Sequence, residues 1–125
     1  LNARYIIDQL LVRHYDDIQI TADSAEPKSI TEFRNAGIKI TGAKKGSGSV
    51  EFGEKWLNDL DEIIIDADRT PGLAKEYEEA DYKIDANGNI KDALNDKGTN
   101  SIDATRYALE DEMTNRQIKT GMRLF

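Results

Sequence analysis

Residues 17–41 read DIQITADSAEPKSITEFRNAGIKIT. Ile18, Ile20 and Ala22 alternate with Asp17, Gln19 and Thr21, the period of a strand with one apolar face. The strand ends at Asp23-Ser24-Ala25-Glu26. Pro27 then suits the first position of a helix, whose positive end the acids favour. That helix is expected over about residues 28–36, with Ile30 and Phe33 inward and Gly37 as its stop. Residues 38–41 return as a second short strand. Strand, helix and strand in this order predict a parallel pair joined by a right-handed crossover, the building unit of an α/β sheet.

On the N-terminal side, Tyr5, Ile6, Ile7, Leu10 and Leu11 fall at helical steps, which predicts an amphipathic helix over residues 1–14. On the C-terminal side, residues 42–49 form a loop of glycine, serine and lysine. Residues 50–60 follow, setting Val50, Trp56, Leu57 and Leu60 on one helical face. Residues 62–67, EIIIDA, read as a third strand whose three isoleucines imply cover on both faces. Thr70-Pro71 opens a helix with Leu73 and Tyr77 inward. Residues 82–91 predict a hairpin around Asn87-Gly88, the pair expected to supply positive φ. A polar loop at 95–100 leads to a last helix over about 100–112. Residues 118–125 have no period. No internal repeat or linker divides the 125 residues, so a single domain is expected, with 113–125 as a flexible tail.

Cysteine is absent and His14 is the sole histidine, which excludes disulfides and thiolate or histidine-rich zinc centres. Any metal must therefore be held by oxygen. Seventeen basic and twenty-four acidic residues give a net charge of −7. The excess acid sits in residues 51–112, with seven basic and eighteen acidic side chains, whereas residues 1–50 carry seven and six. A basic working surface near the start is thus compatible with the overall charge. No apolar run is long enough to span a bilayer, and the start has no signal-peptide pattern. A chain beginning at Leu1 fits a piece of a longer polypeptide.

Three motif matches fail. Residues 42–49, GAKKGSGS, have the composition of a phosphate-binding loop without its lysine at the required spacing. Asp85-Ala86-Asn87-Gly88 resembles the middle of an EF-hand, but Lys83 and Leu94 stand where carboxylates are needed, so it reads as a turn. His14 reads as a helix-end residue.

Two acids remain at privileged places. Asp23 sits where a strand ends and a helix begins, and ligands bind at the carboxyl ends of strands in open α/β sheets. Asp103 lies in the first turn of the last helix, with Asn100, Arg106 and Tyr107 at spacings that share its face. Carboxylates from a strand end and a helix suit Mg²⁺ or Mn²⁺, and two such ions about 4 Å apart activate water against a phosphodiester. The same residues also fit structural duties: Asp23 an Asx turn or cap, and Asn100 with Asp103 a capping pair. Lys44 and Lys45 are either DNA phosphate contacts or part of a solvated turn. Trp56, Phe33 and Tyr77 read as core.

Three strings occur in order: Asp23-Ser24-Ala25-Glu26-Pro27-Lys28-Ser29-Ile30, then Ala43-Lys44-Lys45-Gly46 with Ser49-Val50, then Ile102-Asp103-Ala104-Thr105-Arg106-Tyr107-Ala108-Leu109. Together they resemble the C-terminal nuclease domain of tailed-phage terminase large subunits, an RNase H-like fold of the resolvase type with helices flanking its sheet. The resemblance spans about residues 18–109. It implies a Mg²⁺- or Mn²⁺-dependent endonuclease, with two metals in the complete domain, that cuts concatemeric double-stranded viral DNA during genome packaging. Asp23 matches the family acid at the end of the fourth strand and Asp103 the acid on the C-terminal helix. Asn100 stands where many relatives carry histidine, a weak ligand at best. The family's first acid belongs to a strand expected upstream of Leu1, and Asp8, in a helical pattern, is a poor substitute. The resemblance further implies the ATPase domain, portal and small terminase subunit as partners, and the host cytoplasm as location. The residues alone also admit a resolvase- or transposase-type nuclease, or a non-catalytic α/β interaction module.

From this reading Asp23 and Asp103 are expected to approach within about 4–8 Å, at least one with a raised pKa. The chain by itself is expected to bind metal weakly and to be inactive alone, unless Asp66 or Glu26 completes the site.

Overall fold

A computed structural model describes residues 2–95 and 98–115. The chain divides into two compact units, Leu1–Lys45 and Gly46–Phe125.

The first unit holds α1 (Ala3–Val12), β1 (Ile20–Ala22), α2 (Pro27–Asn35) and β2 (Ile40–Gly42). Asn2 caps α1, its Oδ1 accepting the Arg4 N–H at 2.9 Å. Arg13 is the C-cap of this helix, and His14 just beyond it adopts a φ of 58°. The Tyr15 N–H reaches back to the Leu10 carbonyl and the His14 N–H to that of Leu11. His14 is therefore a stop residue, as its position suggests, in a left-handed conformation that histidine enters more readily than most residues.

Helix α2 begins with Pro27 at its first turn and stops at Gly37, φ 88°. Gly37 N–H donates to Arg34 O and Ile38 N–H to Phe33 O, the paired bonds of a Schellman stop. The same turn brings Ile38 back onto Phe33 in a core completed by Ile7, Ile30 and Ile40. β1 and β2 pair in parallel, Ile20 with Ile40 and Ala22 with Gly42. The parallel strand–helix–strand unit is thus present, although the ladder begins at Ile20 and Ile18 is 50% exposed. Tyr5 and Leu11 are also outside the core. The apolar stripe of α1 turned inward is the narrower one of Ile6, Ile7 and Leu10.

The second unit holds α3 (Ser49–Asn58), α4 (Pro71–Glu79), β3 (Tyr82–Ile84), β4 (Ile90–Leu94), α5 (Asn100–Ala108) and α6 (Glu110–Asn115). Its core is Trp56, Leu57, Ile102 and Met113, with Leu60, Ile63, Tyr77, Leu94 and Leu109 packed against it. Trp56 and Phe33 are core residues, as expected, and Val50 is exposed. Glu54 on α3 accepts the Leu94 N–H at 2.9 Å, which ties the hairpin to the helix.

The hairpin forms at the expected place, antiparallel with Ile84 opposite Ile90. Gly88 alone has positive φ in the turn, at 83°. The Asn87 N–H instead bonds to Asp85 Oδ1, which also accepts the Asn89 N–H, both at 2.9 Å. These backbone donors hold the Asp85 carboxyl below its usual pKa. The EF-hand-like acid is spent on its own turn.

Two elements differ from expectation. Residues 62–66 have no regular secondary structure and residue 67 begins a turn, so the expected strand does not form: no described segment pairs with these residues, and a strand exists only through its ladder. Their isoleucines alternate, Ile63 and Ile65 half-buried and Ile64 49% exposed, so one face is covered and not both. The last helix is also two, broken at Leu109. Glu110, Asp111 and Glu112 stand at the start of α6, where the positive end of a new helix favours acids. Arg116, Lys119 and Arg123, with most of the expected tail, lie outside the described residues. Among the described residues no helix is long and apolar enough to cross a membrane.

Candidate active site

The parallel register puts the carboxyl ends of β1 and β2 side by side, and Ala43 N–H donates to Ala22 O at 2.7 Å just beyond them. Asp23 follows β1 and Lys45 follows β2. Their side chains form an ion pair, Lys45 Nζ donating to Asp23 Oδ1, and the same oxygen accepts the Ala25 N–H at 3.1 Å. Asp23 thus makes the Asx turn that its position allows. It does not cap α2, whose N-cap is Glu26. Gly42 permits the close fit of this corner, since a Cβ there would stand 3.0 Å from Ser24 Cβ and 3.3 Å from Ile30 Cδ1.

The Asp23 side chain is 57% exposed. Its carboxyl is held below the usual pKa, first by the bond from Lys45 and then by that from Ala25. The raised value expected for at least one of the two acids is not found at Asp23, because the ammonium group beside it favours the charged form. Asp23 is therefore ionised throughout the neutral range, as an oxygen ligand must be. Lys44 lies exposed on the same loop.

In the second unit, Asn100 and Asp103 occupy one face of α5. They do not form the capping pair that their spacing fits. Thr99 is the N-cap, and no side chain of the helix closes that end. Glu76 of α4 does so instead, its Oε2 accepting the N–H groups of Ser101 at 2.7 Å and Ile102 at 3.1 Å. With the cap supplied from elsewhere, the Asp103 carboxylate is left for another use. It is 34% exposed, and Oδ1 accepts a hydrogen bond from Arg106 Nη2 at 2.8 Å.

The other acids are engaged locally. Asp66 Oδ1 accepts the N–H groups of Asp68 and Arg69 within its own turn. Asp8 lies on the outer face of α1, 3.5 Å from Arg4. Glu26 is exposed. Among the described residues no group of three or more histidine, cysteine, aspartate or glutamate side chains is gathered to hold a metal ion. Asp23 and Asp103 each offer the carboxylate oxygens that a hard divalent cation takes, with side chains 57% and 34% exposed. Lys45 already stands as a positive charge against the first of them.

Sequence reasoning passed over Glu76 and Gly53. Nothing local marks Glu76, since its partners are some twenty-five residues away. Gly53 does carry a signal: a glycine inside a helix costs stability and implies a close approach.

A parallel strand pair with an acid and a lysine at its carboxyl ends, and a helix that presents a further acid, are compatible with an α/β domain of the RNase H-like kind. The chain matches the family described as the terminase RNase H-like domain over residues 3–111, and it belongs to that family. It is 52% identical over 101 residues to the terminase large subunit of Bacillus phage SPP1, covering 79% of this chain and 24% of that protein. It is 36% identical over 92 residues to the PBSX phage terminase large subunit of Bacillus subtilis strain 168, covering 74% and 21%. The chain thus spans about a quarter or less of these relatives. Among solved structures it resembles the nuclease domain of the SPP1 large terminase with bound Mn, at 46% identity and a TM-score of 0.85. That likeness covers 90% of this chain and 64% of the other.

Proposed function

We propose that this chain is part of a metal-dependent endonuclease that cuts concatemeric double-stranded viral DNA during genome packaging in the host cytoplasm. The observation that carries the reading is the likeness to a phage terminase nuclease domain in which Mn was bound. Asp23 and Asp103 are the proposed catalytic metal ligands, and Asn100 a weak or outer one. These residues would hold Mg²⁺ or Mn²⁺, proposed as a pair in the complete domain, and the metal would supply an activated water and offset the charge that builds on the phosphate.

The chain's own residues prepare that chemistry. Asp23 contributes a carboxylate kept ionised by Lys45, and Asp103 a second one presented from α5. Lys45, with Lys44 beside it, is the proposed contact for a DNA phosphate: its ammonium group would pass from Asp23 to the incoming backbone and offset its charge. Contacts of this kind go to phosphate and carry no sequence information, so the proposal is cleavage without base specificity. The ATPase domain, portal and small subunit are the partners proposed for the whole protein.

Supercoiled plasmid incubated with the intact protein should be nicked and linearised in Mn²⁺ or Mg²⁺, and EDTA should stop the reaction completely. Cleavage that persists in excess chelator contradicts the proposal.

A further inference from the structure

Arg106 is only 7% exposed, on the buried side of α5 next to Asp103. Its guanidinium makes a single hydrogen bond within the described residues, from Nη2 to Asp103 Oδ1, and its Nε is buried with no partner. Burying a guanidinium is costly, and an apolar residue of similar volume is often as stable or more so. Stability therefore gives a poor account of an arginine here.

The opposite wall is equally specific. Gly53 on α3 faces the arginine stem, and a Cβ added there would stand 2.8 Å from Arg106 Cδ and 3.3 Å from Cγ. The stem lies along the α3 backbone through a gap that any side chain would close. Its far end is thereby delivered to one oxygen of Asp103, and no bond among the described residues engages Oδ2.

We propose that Arg106 is a positioning residue for Asp103, seated by the Gly53 gap, which fixes the carboxylate by Oδ1 and leaves Oδ2 for a divalent cation. This rests on the reading of Asp103 as a metal ligand. The α3 backbone and the carboxylate hold the guanidinium from two sides, so the ligand is preorganised before the cation arrives.

The test is Mn²⁺ binding to the intact protein, followed by the electron paramagnetic resonance of free Mn²⁺ and paired with the Mn²⁺ dependence of plasmid cleavage. Arg106→Met should keep the melting temperature and weaken Mn²⁺ affinity about tenfold or more, the range for groups that orient metal ligands. Saturating Mn²⁺ should restore most of its cleavage rate. Gly53→Ala should act in the same direction although it keeps the arginine, because the added methyl displaces the stem. It also supplies the answer if Arg106→Met fails to fold. Asp103→Asn is the control. If it loses Mn²⁺ affinity while Arg106→Met and Gly53→Ala bind as the parent does, the positioning role is overturned and the ligand reading stands. If Asp103→Asn binds Mn²⁺ unchanged, the ligand reading falls and the proposal with it.

Discussion

Asp103→Asn is expected to lower Mn²⁺-dependent plasmid cleavage by the intact protein at least about 10²–10³-fold, the scale of removing one charge-stabilising group from a transition state. The amide has nearly the volume of the carboxylate but loses the charge that a hard cation requires. Its oxygen still accepts from Arg106, and the side chain is one-third exposed. The stability loss is therefore held to about 1–2 kcal/mol. A purely structural aspartate predicts the reverse pattern, activity retained with only the melting temperature lowered. The structure already removes the simplest such role, because Glu76 and not Asn100 or Asp103 satisfies the first N–H groups of α5. Cleavage rate and melting temperature measured on the same preparation separate the two patterns.

Ile102→Ala should cost about 2–5 kcal/mol, the range for emptying a fully packed aliphatic site. Ile102 is 2% exposed, the least of the buried apolar residues, and packs with Trp56, Leu57 and Met113. It precedes Asp103 on α5, so one residue anchors the helix in the core and the next carries the acid. Urea unfolding with an unchanged slope measures the loss. A cost below about 1 kcal/mol means that the surroundings collapse onto the cavity and that α5 is not anchored through this position.

The parts of the fold that the sequence made legible are those with local causes. Pro27 and Gly37 bracket α2 because one suits a first helical turn and the other a left-handed stop. The 82–91 hairpin is announced by its turn, although Asp85 does more of the work there than Asn87. Residues 62–67 were misread because a run of isoleucines shows apolarity and not pairing, and whether a ladder forms is settled by segments distant in sequence. The break at Leu109 does carry a local signal, since Glu110, Asp111 and Glu112 suit the positive start of a helix and not the negative end of one.

The candidate site divides in the same way. Asp23 was found from its place at a strand end, and the ion pair with Lys45 follows from two parallel strands finishing together. Asp103 was found in a string of residues whose spacing fits a cap equally well, so its local pattern pointed as readily to a structural role. Only the Glu76 contact, far off in sequence, withdraws the cap. Arg106 shared a face with Asp103 on spacing alone, but its burial and its seat against Gly53 depend on how α3 packs on α5, which no periodicity within α5 encodes.

The central proposal is that Asp23 and Asp103 are each ligands of a divalent cation. Mn²⁺ soaked into crystals of the intact protein and located by anomalous scattering tests it most directly. The account predicts that each of the two carboxylates has an oxygen within about 2.6 Å of a Mn²⁺ peak. Well-occupied Mn²⁺ that leaves either carboxylate beyond ligating reach of every ion contradicts it.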